Sequence, residues 1–208
     1  MRTITNNKLK NFVFKDKNTK DKLCKDLLEV HTADTFSIAS NSHMVGIIYN
    51  SDDHELHYTF GDSMDTIVSI TKQFHNQDSM INLTVNRKQL LNTITEQLAS
   101  LRETKKGRFK TVTKLTIDSN DYKLYTYTFE DGNATNAVVG QTLDIDVEAH
   151  RYVTKKVWSV YFDTRYLIEF LKFMSGYESI KIQSSQEKLL EIRCEEQDRE
   201  VILLGIRM

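Results

Sequence analysis

His54 and His57 flank Glu55, and this triplet is the nearest the sequence comes to a metal-ligand set. In a strand the two imidazoles would fall on opposite faces, so the spacing does not converge on one ion. The other histidines are His31, His43, His75 and His150. Two carboxylate groups offer a second kind of chemistry. Asp52-Asp53 sits in a predicted turn. Asp144-x-Asp146-x-Glu148 alternates, which along one strand puts three acids on one face. There they repel unless solvated or bound to a cation, and solvated edge charge is the expectation. No G-x-G-x-x-G, P-loop, G-x-S-x-G or H-E-x-x-H occurs. The sequence therefore predicts no enzyme, no metal site and no cofactor. Cys24 and Cys194 are far apart, in no ligand spacing, and read as small apolar residues on a helix and a strand.

The 28 basic and 29 acidic residues leave a formal charge of −1. That excludes a polycation overall, but not a nucleic-acid binder whose cations gather on one face. The densest basic run is Lys105-Lys-Gly-Arg-Phe-Lys110. No stretch approaches the ~20 apolar residues of a membrane span. Residues 1–7 hold no apolar signal core, and two unpaired cysteines fit a reducing compartment, so a cytoplasmic location is expected. With no proline and only seven glycines, no Pro-rich linker and no extended disordered tail are predicted.

The elements that must position these residues repeat. Three times an apolar strand leads into a short amphipathic helix and then a run of strands. The middle copy is cleanest. Ile81, Leu83 and Val85 alternate with polar residues, Asn86 caps a helix over 87–101, and Leu90, Leu91, Ile94, Leu98 and Leu101 form one apolar stripe. Strands follow at 111–117, 123–129 and 137–147. The last copy has a strand over 157–162 and a helix capped by Asp163 or Thr164. Tyr166, Leu167, Phe170, Leu171 and Met174 line that helix, which stops near Gly176. Strands at 179–184, 188–194 and 200–206 complete it. The first copy is poorer: a strand over 12–14, a helix over 20–30, strands at 36–39, 44–49 and 55–60, one more strand at 66–70, and a connector at 73–79. Such a chain is α+β, with antiparallel sheets carrying helices on one face. The expected division is a half domain over 1–80 and a complete one over 81–208.

The segment Leu83-Thr-Val-Asn-Arg-Lys-Gln-Leu-Leu91 resembles the strand followed by [Asp/Asn]-Arg-x-x-Leu-Leu that opens the last domain of bacterial sliding clamps, the β subunit of the replicative DNA polymerase. Val160-Tyr-Phe-Asp-Thr-Arg-Tyr-Leu-Ile168 is similar to the clamp's F-N-x-x-Y-L-L-D-x-L helix opening. The end Val201-Ile-Leu-Leu-Gly-Ile-Arg-Met208 stands where clamps finish in apolar residues and Met-Pro-[Met/Val]-Arg-Leu, with Gly205 in place of the proline. Ser40-Asn-Ser-His-Met-Val45 is similar to the T-D-G-H-R-L pocket loop. A full clamp has three domains of two modules each; this chain has three modules.

The resemblance implies a clamp-like fold whose helices turn Lys and Arg toward duplex DNA without reading sequence. The DNA-facing candidates are then Lys20, Lys22 and Lys25 on the first helix, Arg87, Lys88 and Arg102 on the second, Lys105, Lys106 and Arg108 in the basic run, and Arg165 and Lys172 on the third. Asp21, Asp26, Glu96, Glu103 and Glu169 share these helices, so an ordinary solvated face is the competing reading. Clamps also dock polymerase and other replication proteins through short peptides in an apolar pocket near the C-terminus. Leu204, Ile206 and Met208 would contribute here; the alternative is a terminal strand buried in its own sheet. A homo-oligomer is implied. The second functional reading is a regulatory or decoy protein of clamp fold that binds a replication protein without encircling DNA.

Overall fold

The structure, a computed structural model, describes residues 6–13, 26–52, 54, 56, 60, 62–75, 81–104, 110–118, 123–131, 133–140, 142–149, 157–184 and 191–206. The expected helix over 20–30 lies outside the described residues up to 25; Asp26–Leu28 is a 3-10 turn. The chain packs into two compact units. One holds residues 1–78 with Arg193–Leu203, the other Ser79–Ile192 with Leu204–Met208.

In the first unit, α1 (Asn6–Leu9) precedes β1 (His31–Thr32), β2 (Phe36–Ser40), β3 (Met44–Tyr49) and α2 (Asp62–His75). The C-terminal hairpin of β12 (Glu191–Glu196) and β13 (Arg199–Leu204) joins them because β13 pairs antiparallel with β3, from Arg199↔Ile48 to Leu203↔Met44. β2 and β3 are buried on both faces, so their apolar runs are nearly continuous. Phe36, Ile38, Ile47 and Tyr49 pack with Met64 and Val68 of α2. On the other face Leu9 and Phe12 lie over Gly46, where a Cβ would stand 2.9 Å from the Phe12 ring.

Two expectations for this unit fail. Phe12 and Val13 are in a turn after α1, not a strand, because Phe12 N–H closes back on the Leu9 carbonyl at 2.8 Å and its ring caps the sheet. Residues 66–70 are helical, not extended. The β-branched run Thr66-Ile-Val suggests a strand, but Met64, Val68 and Thr71 recur at helical spacing, and that is the set buried. Likewise Gln73–His75, expected in a connector, finish α2. Of the strand expected over 55–60, residues 56 and 60 are in no strand and the others are outside the described residues.

In the second unit, β4 (Ile81–Asn86) leads into α3 (Arg87–Thr104), followed by β5 (Thr111–Asp118), β6 (Lys123–Glu130), β7 (Asn133–Val139), β8 (Leu143–Asp144) and β9 (Asp146–Ala149). Then come β10 (Val157–Asp163), α4 (Thr164–Phe173) and β11 (Ser179–Ser184). The two copies exchange their first strands. β4 pairs with β11 of the last copy, Leu83↔Ile182 near its centre, and β10 pairs with β5 of the middle copy, Val160↔Leu115 at its centre. The strand expected over 137–147 is broken: β8 pairs with β6 and β9 with β4. Asp144 and Asp146 are therefore exposed on different strand pairs, not aligned on one strand.

Both helix starts are capped as the sequence predicts. Asn86 Oδ1 accepts from Gln89 N–H at 2.9 Å, and Asp163 Oδ1 from Arg165 N–H at 2.9 Å. Leu90, Ile94, Leu98 and Leu101 of α3 are buried, and so are Leu167, Phe170 and Leu171 of α4. Leu91 is only half-buried, and Gln97 takes its place on the inner face. Its amide donates to the Thr126 and Val138 carbonyls, at 2.8 and 3.0 Å, and accepts from Thr128 Oγ1. Thr128, Thr113 and Thr164 hydroxyls continue this buried chain at 2.9 and 3.0 Å. It links α3 to the first residue of α4, with every member partnered, as a buried polar network requires.

Candidate nucleic-acid interface

α3 and α4 pack against each other, with α3 also on β6 and β7 and α4 on β5 and β10. With the inner stripes buried, their outer faces carry the predicted cations. On α3, Lys88, Asn92, Thr95, Ala99 and Arg102 are all exposed, at the spacing of one continuous stripe. Lys88 and Arg102 stand at its ends, about 21 Å apart at 1.5 Å rise per residue. On α4, Arg165 and Lys172 are exposed two turns apart, on either side of Glu169.

These cations are not equally available. Arg165 grips Asp163 through Nη2–Oδ2 at 2.8 Å and Nε–Oδ1 at 3.1 Å, which raises its pKa further. Lys172 pairs with Glu169 at 3.2 Å. Such exposed pairs are weak and screened, so an incoming phosphate competes easily. Lys88 and Arg102 have no ion pair among the described residues. Arg87 is different: its Nε donates to the Tyr177 carbonyl at 2.9 Å and its Nη1 to the Leu171 carbonyl at 3.3 Å. Leu171 lies in the last turn of α4, and a cation on its carbonyl satisfies a group the helix leaves unpaired. The guanidinium thus fastens the start of α3 to the end of α4. Lys20, Lys22, Lys25, Lys105, Lys106 and Arg108 lie outside the described residues.

At the C-terminus, Leu204 and Ile206 are half-buried, and Ile206 N–H donates to the Tyr161 carbonyl on β10 at 2.8 Å. Met208 is outside the described residues. In the first unit, the β2–β3 turn has a defined shape. Asn41 Oδ1 accepts from His43 and Met44 N–H at 3.1 and 2.9 Å, and Ser42 adopts φ 68°. That left-handed position suits glycine, which the resembling pocket loop carries there.

One cluster escapes sequence reasoning. Glu200 on β13 is wholly buried and accepts from Tyr49 Oη at 2.6 Å, Arg193 Nε at 2.6 Å and His75 Nε2 at 2.9 Å. Burial alone would raise the pKa of this carboxyl; the bonds from His75, Arg193 and Tyr49 outweigh burial and hold it below the usual value. Burial, then the Glu200 charge, pushes Tyr49 the other way, so it remains a donor. Cys194 is a free buried thiol, raised by burial. Among the described residues, no group of three or more His, Cys, Asp and Glu is placed to hold a metal, and no helix is long and apolar enough to cross a membrane.

Strand exchange between two copies, with one helix per copy packed beside the other, defines an α+β protein of antiparallel sheets. Its fold is that of the bacterial DNA polymerase sliding clamps. The chain is similar to the Bacillus subtilis sliding clamp, with a TM-score of 0.65 and 14% identity, over 97% of this chain and 60% of that one. It is also similar to the Caulobacter crescentus clamp (0.62, 10%, 97% and 63%) and to the DNA polymerase III beta chain of Streptococcus pneumoniae (0.63, 14%, 97% and 61%). The chain thus spans 60 to 63% of the length of these three clamps. No family model and no curated protein matches it by sequence.

Proposed function

We propose that this chain is a sliding-clamp-like accessory protein of DNA replication. It holds duplex DNA without sequence preference and carries partner proteins on a peptide-docking surface near its C-terminus. The observation that supports this reading best is the α3–α4 pair. Its buried stripes face the sheets, and Lys88, Arg102, Arg165 and Lys172 are left on its solvent side. Lys20, Lys22, Lys25, Lys105, Lys106 and Arg108 extend the same charge in the proposal, while Arg87 positions the two helices. Chemistry is not required: attraction to phosphates suffices to retain a duplex that the protein surrounds. In the proposal, residues 1–80 supply half a domain and 81–208 a whole one, and a homo-oligomer encircles the duplex.

On a linear duplex blocked at both ends, the protein is expected to stay bound far longer than on one with free ends. Equal lifetimes exclude sliding and favour the second reading, a regulatory or decoy protein that engages a replication protein alone. In a salt titration of duplex binding, Lys88→Ala and Arg102→Ala should each lower the slope by roughly one unit.

Leu204, Ile206 and Met208 are the proposed apolar anchors of the docking surface. The half-burial of Leu204 and Ile206, at and just beyond the end of β13, suits a groove wall for an extended peptide. Deleting residues 204–208 should abolish binding of a clamp-docking peptide, measured by fluorescence anisotropy. Unchanged affinity in the deleted protein removes these residues from the surface.

A further inference from the structure

Beside the buried Glu200 cluster, His54 occupies a place that only one protonation state fits. Its Nδ1 lies 3.0 Å from Glu195 Oε1, and its Nε2 lies 3.1 Å from the Gln197 carbonyl oxygen. Carboxylate and carbonyl oxygens only accept hydrogen bonds. A neutral imidazole carries one N–H. It would satisfy one of these oxygens and set a bare nitrogen lone pair against the other. The imidazolium donates to both. Its face is stacked on Tyr49, centroids 4.0 Å apart and planes 7° from parallel, an arrangement that also suits a cation.

The surroundings agree with a positive ring. From β12, Arg193 donates to both Glu195 and Glu200, so one guanidinium serves two carboxylates. From α2, His75 faces Glu200; from β3, Tyr49 does. In the β12–β13 turn, Asp198 is matched by Arg199 at 2.6 Å. Glu195 shares Arg193 with Glu200, and a positive ring at residue 54 is a second cation facing it.

We propose that His54 is a proton-operated clasp. Doubly protonated, it ties the segment leaving β3 to the β12–β13 turn; on losing one proton it can hold only one of its two partners. The same turn is held to β3 by Tyr49 N–H donating to the Asp198 carbonyl at 2.9 Å. Release at His54 therefore loosens the end of the hairpin, while the ladder from Arg199 to Leu203 stays paired.

The test uses the full chain with 15N-labelled histidine rings, assigned with His54→Gln and His75→Gln. As pH rises, the His54 nitrogens should pass from two N–H signals to one. Amide exchange at Gln197 and Asp198 should accelerate roughly tenfold in the same step, the scale of one charge-assisted bond. The step should persist in His75→Gln and vanish in His54→Gln. Exchange at the turn that does not change as His54 titrates overturns the proposal, and so does an undiminished step in His54→Gln. If that variant does not fold, the wild-type correlation between ring signals and turn exchange decides alone.

Discussion

Replacing Glu200 by Gln is expected to destabilise the protein by about 3–5 kcal/mol, the cost of removing one member of a buried ion pair and leaving the other uncompensated. The substitution keeps the shape of the side chain but removes its charge. Arg193, with a side chain only 14% exposed, then faces a neutral amide, and the amide's own N–H groups meet Tyr49 and His75 donors. The loss should also depend on pH. The carboxyl's folded-state pKa lies below the ordinary glutamate value of 4.5, so the unfolded chain takes up the proton first. Wild-type stability from this group is complete above that value and fades as pH falls through the folded pKa. Urea unfolding from about pH 7 to about pH 3 should show the wild-type and Glu200→Gln curves converging in acid. A gap that stays constant down to the acid end would mean that the buried charge is not what holds β13 in place.

The second large effect concerns Phe12. Its side chain is 1% exposed and lies on Gly46 of β3. Phe12→Ala should cost about 3–5 kcal/mol, the range for emptying a buried aromatic site. Gly46→Ala should cost about 1–3 kcal/mol alone, because the new methyl would stand 2.9 to 3.0 Å from the Phe12 ring and Leu9, closer than packed carbons sit. Together the two changes should cost less than their sum, since the alanine methyl enters the space the ring has left. Equilibrium unfolding of the four proteins completes the cycle. Strict additivity would show that Phe12 and Gly46 do not touch in solution.

These two positions also mark how far the sequence could be read. The middle and last copies are legible because the physics that folds them is local. Ile81, Leu83 and Val85 alternate, helix stripes recur at 3–4 residues, and Asn86 and Asp163 stand at the cap positions they occupy. The first copy depends on partners remote in the chain. Phe12 reads as part of an apolar strand until its place over Gly46 is known, and the Thr66-Ile-Val run reads as extended until Met64, Val68 and Thr71 are found on one buried face. The same holds for the functional side chains. Lys88, Arg102, Arg165 and Lys172 can be picked from their places on predicted helices. Arg87 belongs to the same pattern, yet its use is decided by carbonyls at Leu171 and Tyr177, which no local spacing announces. Glu200, His75 and Arg193 are separately unremarkable charges; only the β3–β13 pairing and the end of α2 bring them together.

That β3 is completed by a strand from the far end of the chain has a consequence for synthesis. Val45 finds its ladder partner only when Ile202 has been made, and at ribosomal speeds of ~5–20 residues per second that wait is on the order of ten seconds. During it, the edge of β3 and the apolar side chains around it have nothing to pair with. The nascent first unit is therefore a natural client for a holding chaperone until β13 is made.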